Sequence, residues 1–209
     1  MPSNTPRAGG VRRHDVAIRG TGVVGLTLAL LLARERLRVA LVGHSAPAGA
    51  ADVRAYALNA ASKAVLGSVR AWPEDAPGQV PAVTPVRAMK VHGDDGGELR
   101  FDAAPLGAEA LTWIVDVPAL ERRLADAVQF QPGIERLDEA PPAALTVVCE
   151  GRRSSTRAAL GIDFDVRPYP HKALAARLST TLPHGGVARQ WFVDGEVLAL
   201  LPLDGADGR

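Results

Sequence analysis

The chain has 209 residues, 47% of them apolar, which is ample for a packed core and excludes global disorder. Its 24 basic and 23 acidic residues leave a formal net charge of +1, so no long-range field points to nucleic acid as a partner. The single cysteine, Cys149, excludes an internal disulfide and a multi-cysteine metal centre, and it fits a reducing, cytoplasmic setting.

Residues 1–13, with Pro2, Pro6, Gly9 and Gly10, read as a loose tail. The stretch Asp15–Ala33 then carries the strongest signal in the chain. Val16–Ile18 reads as a short apolar strand, Gly20, Gly22 and Gly25 form G-x-G-x-x-G, and Val23–Ala33 reads as an apolar helix. That order builds a cradle for the pyrophosphate of a dinucleotide. Gly20 permits the tight turn, Gly22 lets the backbone approach the phosphates, and Gly25 lets helix and strand pack closely. Backbone N–H groups of the first helical turn, Val24 included, face the negative charges. The apolar run is too short to span a bilayer, and the strand ahead of it argues against a signal peptide. Peripheral contact with the inner membrane stays compatible with such a chain.

Arg38–Val42 reads as a second parallel strand, buried on both faces. The next position should carry Asp or Glu to grip the adenosine ribose. Gly43 stands there instead, followed by His44, which reads as a surface-loop residue.

Farther along, Lys63–Trp72 reads as a helix capped by Ser62, and Pro73–Pro85 as a proline-rich loop. Val86–His92 and Glu98–Phe101 flank the turn Gly93–Gly97 as a hairpin. Ile114–Val117 is a short extended segment, and Pro118 opens a helix that buries Leu120, Leu124 and Val128. Ala144–Cys149 reads as another buried strand, turning at Glu150 and Gly151 into an arginine-rich loop that ends at Arg157. After Ile162, the segments Phe164–Tyr169, Ala173–Thr181, Gly186–Val193 and Glu196–Leu201 all read as strands of a second sheet. His14, His92, His171 and His184 lack the spacing of metal ligands, Trp191 and Phe192 read as sheet-core aromatics, and Cys149 reads as a buried, inert thiol.

Three blocks together resemble the class A flavoprotein aromatic hydroxylases, in particular the ubiquinone-biosynthesis branch. Asp15–Ala33 is similar to the FAD pyrophosphate motif, Asp52–Ser62 to the D-x-R-x-x-A-L block, and Cys149–Arg157 with Gly161 to the A-D-G-x-x-S-x-x-R-x-x-x-G block. The segments 169–174, 183–192 and 198–203 resemble the opening of the family's substrate-domain sheet. The resemblance implies a three-layer, glutathione-reductase-like FAD-binding domain over 14–163, with the hairpin region 73–118 inserted in it. A β-rich substrate domain would begin at 164–209 and be incomplete. FAD would be the cofactor and NAD(P)H the co-substrate, with Gly20, Gly22, Val24, Gly25, Arg54, Glu150 and Gly151 holding FAD. A small aromatic ring or a prenylated quinol would be the substrate. The cofactor carries the chemistry, so no catalytic side chain or metal ligand is assigned.

The departures are as specific as the matches. Gly43 replaces the ribose-binding acid, Cys149-Glu150 stands for Ala-Asp, and Val115–Leu120 stands for V-E-N-R-x-L without its asparagine and arginine. Family members run to about double this length, and their later G-D-A-A-H block does not occur in these residues. The chain therefore reads as an N-terminal half, expected to hold FAD weakly and to hydroxylate nothing by itself. The absent half or other pathway proteins would be its partners. Two other readings share the opening motif: a nicotinamide-dependent dehydrogenase, and a truncated, non-catalytic product of a monooxygenase gene.

Overall fold

A computed structural model describes residues 14–43, 52–74 and 79–205. The expected tail 1–13 and His44 lie outside the described residues. In chain order the elements begin with β1 (His14–Arg19), α1 (Val23–Arg34), β2 (Val39–Val42), β3 (Ala55–Leu58) and α2 (Ala60–Ser68). They continue with β4 (Val83–Val86), β5 (Ala88–His92), β6 (Glu98–Asp102), β7 (Thr112–Asp116) and α3 (Val117–Gln129). The last are β8 (Ile134–Leu137), β9 (Ala143–Val148), α4 (Ser155–Ala159), β10 (Val187–Val193) and β11 (Glu196–Leu200). The fold is mixed α/β with a parallel core sheet and flanking helices, as expected of a Rossmann-like FAD-binding fold.

Two compact units are drawn from alternating parts of the chain. One takes 14–43 and 126–166, the other 52–125 and 167–205. β10 returns to lie parallel to β5, so the β5–β6 hairpin shares a sheet with the late strands β10 and β11.

The first unit holds a parallel sheet in the order β8-β2-β1-β9. Val16, Ala17 and Ile18 of β1 and all four residues of β2 are buried, since a parallel sheet is covered on both faces. α1 lays Gly25, Leu26, Ala29 and Leu30 against that core. β9 corrects the sequence reading: Leu145 and Val148 are 57% and 37% exposed, because β9 ends the sheet with only β1 beside it among the described residues.

The second unit holds two sheets, β11-β10-β5-β6 and the antiparallel β3-β7-β4. Val86, Ile114 and Ala188 form a buried cluster, with Ala55, Met89 and Leu203 packed on it. β4 lies inside what reads as a proline loop. Its Pro85 stands opposite Trp113 on an outer strand, where a missing N–H is tolerated. Leu120, Leu124 and Val128 of α3 are buried as their spacing requires. Phe164–Tyr169 and Ala173–Thr181 are not strands. Pro168 interrupts the first and Pro170 follows it, neither segment has a strand beside it among the described residues, and Leu174 and Leu178 stay exposed. Phe192, expected in the sheet core, is 40% exposed on β10. No helix of the described residues is long and apolar enough to cross a membrane.

The cap of α2 is Asn59 rather than Ser62: Asn59 Oδ1 accepts the Ser62 backbone N–H at 2.9 Å, so the helix starts earlier and closes at Ser68. Replacing Asn59 by Ala leaves that donor without its partner. We expect a loss of about 1 kcal/mol in urea unfolding, and Ser62→Ala should cost far less.

Candidate functional site

The glycine turn follows directly from the geometry of β1 and α1. Gly20 has φ +117° and donates its N–H to the Val42 carbonyl at 2.8 Å. A Cβ on Gly20 would overlap the Cys149 carbonyl oxygen at the end of β9, and one on Gly25 would overlap the Gly20 carbonyl oxygen. These two glycines therefore serve close packing among β1, α1 and β9. Gly22 differs, because a Cβ there would meet nothing within 4 Å. It is the N-cap of α1, extended at φ −79°, with no side-chain cap and no acidic residue in the first turn. The first intrahelical bond runs from Leu26 N–H to the Gly22 carbonyl at 3.0 Å, so the N–H groups of Val23, Val24 and Gly25 precede it. An open, uncapped helix N-terminus suits an anion. Gly43, at φ +137°, closes the neighbouring strand end without a carboxylate.

Glu150 lies beside this turn, its carboxylate engaged on both oxygens. It accepts Ser154 Oγ–H at 2.6 Å, Thr156 Oγ1–H at 2.7 Å and Thr156 N–H at 3.0 Å. Arg19 of β1 adds an Nε–H contact at 3.3 Å. These donors, with Ser154 first, hold the carboxyl down at about 2. Glu150 thus acts by shaping the loop. It presents Gly151, at φ +70° with open space around it, and orders Ser154, whose Oγ accepts the Arg157 N–H and caps α4. Arg157 donates to the Arg152 carbonyl at 3.1 Å and lies 3.9 Å from the Phe164 ring centroid. Val148, Glu150, Gly151, Ser154, Arg157, Leu160 and Ile162 line a shallow pocket of about 270 Å³. Burial pushes the Cys149 thiol up, which disfavours its thiolate form.

The structure thus brings Gly20, Gly22, Val24, Gly25, Glu150 and Gly151 into one unit, while Arg54 belongs to the other. Arg54 is held by Asp52: Nε lies 2.9 Å and 3.0 Å from the two carboxylate oxygens, and Nη2 lies 2.6 Å from Oδ2. Glu121 Oε1 sits 3.5 Å away. The hydrogen bonds from Arg54 hold the Asp52 carboxyl down at about 2. Any cofactor oxygen reaching Arg54 must share it with Asp52. Arg177, to which the sequence reading gave no role, is gathered into the same cluster on Asp116.

Three of the described histidines have separate local contacts. His14 pairs with Glu135 at 2.9 Å, His92 stacks on Trp191, and His184 Nδ1 accepts the Gly186 N–H at 3.0 Å. Among the described residues no group of three His, Cys, Asp or Glu side chains could hold a metal ion.

No protein-family model matches the chain. It is 27% identical over 215 residues to the 3-demethoxyubiquinol 3-hydroxylase of Escherichia coli (strain K12), covering 90% of this chain and 54% of that one. Among solved structures it superposes on Pseudomonas aeruginosa PqsL in complex with 2-aminobenzoylacetate, with a TM-score of 0.62 and 23% identity over 76% of this chain and 49% of that one. It also superposes on the flavin-dependent monooxygenase PieE in complex with FAD and substrate, at a TM-score of 0.59 and 18% identity over 90% of this chain and 41% of that one. The chain spans about half the length of the curated relatives it matches. It is distantly similar to FAD-dependent aromatic and quinol monooxygenases, and it shares their FAD-binding fold.

Proposed function

We propose that this chain is the FAD-binding portion of a flavin-dependent monooxygenase that hydroxylates an aromatic or quinol ring, with NAD(P)H as the electron source. The observation that carries this reading is the open cradle at Gly22, set at the uncapped start of α1 in a fold shared with flavin monooxygenases. The residues present fit the group. Gly22, Val23, Val24 and Gly25 would offer backbone N–H groups to the pyrophosphate, with Gly20 and Gly25 holding strand and helix close enough to aim them. The Glu150–Gly151 loop would border the cofactor, and Arg54 would offer a guanidinium to its flavin end. Gly43 offers the ribose no carboxylate, which predicts a weaker grip at the adenosine end. Bound FAD would supply the redox chemistry, hydride uptake from NAD(P)H and activation of O2.

A prenylated quinol of the ubiquinone type is the substrate class that fits the curated relatives. A cytoplasmic location with peripheral membrane contact suits such a substrate. The test is optical. Purified chain titrated with FAD should quench flavin fluorescence and shift the flavin absorbance bands. Binding of NAD(P)⁺ in place of FAD would transfer the cradle to a nicotinamide-dependent dehydrogenase.

A further inference from the structure

Arg177 lies in the irregular stretch between α4 and β10, yet it is among the most heavily bonded side chains of its unit. Its Nη2 donates to Asp116 Oδ2 at 2.6 Å and to the carbonyls of Arg54 and Asp52 at 3.3 Å and 3.5 Å; its Nε faces the Val53 carbonyl at 3.5 Å. Three consecutive carbonyls at the entrance to β3 therefore converge on one cation, together with the last residue of β7. Asp116 is shared: its Oδ1 accepts the Ala119 N–H at 2.7 Å at the start of α3, and the Val117 N–H donates to the Arg54 carbonyl at 3.2 Å.

We propose that Arg177 is a positioning residue for Arg54. Its functional consequence rests on the assignment of Arg54 to the cofactor, while its structural consequence does not. Convergent carbonyl oxygens beside the carboxylates of Asp52 and Asp116 repel one another unless a donor lies between them. A guanidinium presents several N–H groups in a fixed fork and satisfies carboxylate and carbonyls at once, which an ammonium cannot do. Removing it frees residues 52–54, and the Asp52–Arg54 pair shifts with the backbone that carries it. Arg177 brings a guanidinium to Asp116 from elsewhere in the sequence.

The test reads Arg54 directly, in the full chain without cofactor, by its Nε–H signal in ¹H–¹⁵N spectra. The wild-type signal should be sheltered from solvent exchange by Asp52. In Arg177→Ala, exchange at Arg54 Nε–H and at the Val117 amide should rise by about tenfold. Arg177→Lys should fail to restore either, although it can keep the pair with Asp116. The Nε–H signals of Arg38, on Asp15, and of Arg100, on Asp102, should stay put and report an intact fold. Asp116→Asn keeps a capping oxygen for α3 and should move Arg54 in the same direction, which covers the case of Arg177→Ala failing to fold. Unchanged exchange at Arg54 in folded Arg177→Ala, or full rescue by lysine, overturns the proposal. A separate FAD titration reads the functional consequence. Arg177→Ala should weaken affinity by about tenfold, with no further loss when added to Arg54→Ala. If Arg54→Ala alone leaves FAD affinity unchanged, the cofactor assignment of Arg54 falls while the positioning effect stands.

Discussion

Gly22→Val should leave the chain folded and lower its affinity for FAD by more than about tenfold, whereas Gly20→Ala should destabilise the first unit by about 2–6 kcal/mol. The two glycines are two residues apart in one motif, but their surroundings are opposite. At Gly22 an added side chain enters open space at an ordinary φ of −79°. The cost to the fold is about 1 kcal/mol for a poor N-cap residue. The cost to binding is larger, because the methyl groups occupy the volume through which phosphate oxygens reach the N–H groups of α1. At Gly20 the added carbon meets the Cys149 carbonyl and the backbone holds φ +117°, which an L side chain rarely adopts. Backbone strain of about 1–3 kcal/mol and overpacking of similar size then act on a domain whose whole stability is about 5–15 kcal/mol. Urea unfolding and FAD titration of both variants separate the two roles. A folded Gly22→Val chain with unchanged FAD affinity would remove the phosphate assignment.

What could be read from the sequence was what local chemistry imposes. The β1–turn–α1 unit was legible because its signals agree over some twenty residues: a buried apolar strand, glycines at fixed spacing and an apolar helix. The hairpin around Gly93–Gly97 and the buried stripe of α3 were legible for the same reason. β3 and β8 were not. Ala55-Tyr-Ala-Leu58 is rich in alanine, and Ile134-Glu-Arg-Leu137 is an edge strand half polar, so only their partners β7 and β2 make them strands. The opposite error arose at 164–181, where apolar residues without a neighbouring strand stayed irregular. Unit boundaries were hidden because β5 and β10 are separated by nearly a hundred residues of sequence yet pair in parallel.

The site divides in the same way. Glycine spacing makes the turn legible, since the positive φ of Gly20 and the approach of Gly25 to the Gly20 carbonyl are local, whereas the Cys149 carbonyl that also excludes a side chain at Gly20 is distant in sequence. The task of Glu150 is set by Arg19, 131 positions earlier, and by Ser154 and Thr156 on a loop whose path is fixed only after folding. The only sequence clue was the hydroxyl-rich run Ser154-Ser-Thr156 following a carboxylate, which also fits a plain helix cap. Arg177 gave no local signal at all, because its partners at 52–54 and 116 lie 61 to 125 residues away.

Glu150→Gln should destabilise the chain by about 2 kcal/mol at pH 7, and that difference should fade in acid. The carboxylate gathers two hydroxyl donors, one backbone N–H and the Arg19 guanidinium. An amide of the same shape keeps one accepting oxygen but turns N–H groups toward donors that need an acceptor. The sign of the pH effect follows from the folded carboxyl lying at about 2, below its ordinary 4.5. The unfolded chain takes up the proton first, so stability from this group is fully present above about 4.5 and is lost as pH falls toward about 2. Glutamine does not titrate, so wild type and variant should converge as wild type loses its advantage. Urea midpoints measured at pH 7 and near pH 3 decide the matter, with the wild-type-minus-variant difference removing the contribution of Asp52 and other carboxylates common to both. An undiminished gap near pH 3 would mean that Glu150 stabilises by packing, and that its charge does not organise the loop beside the glycine cradle.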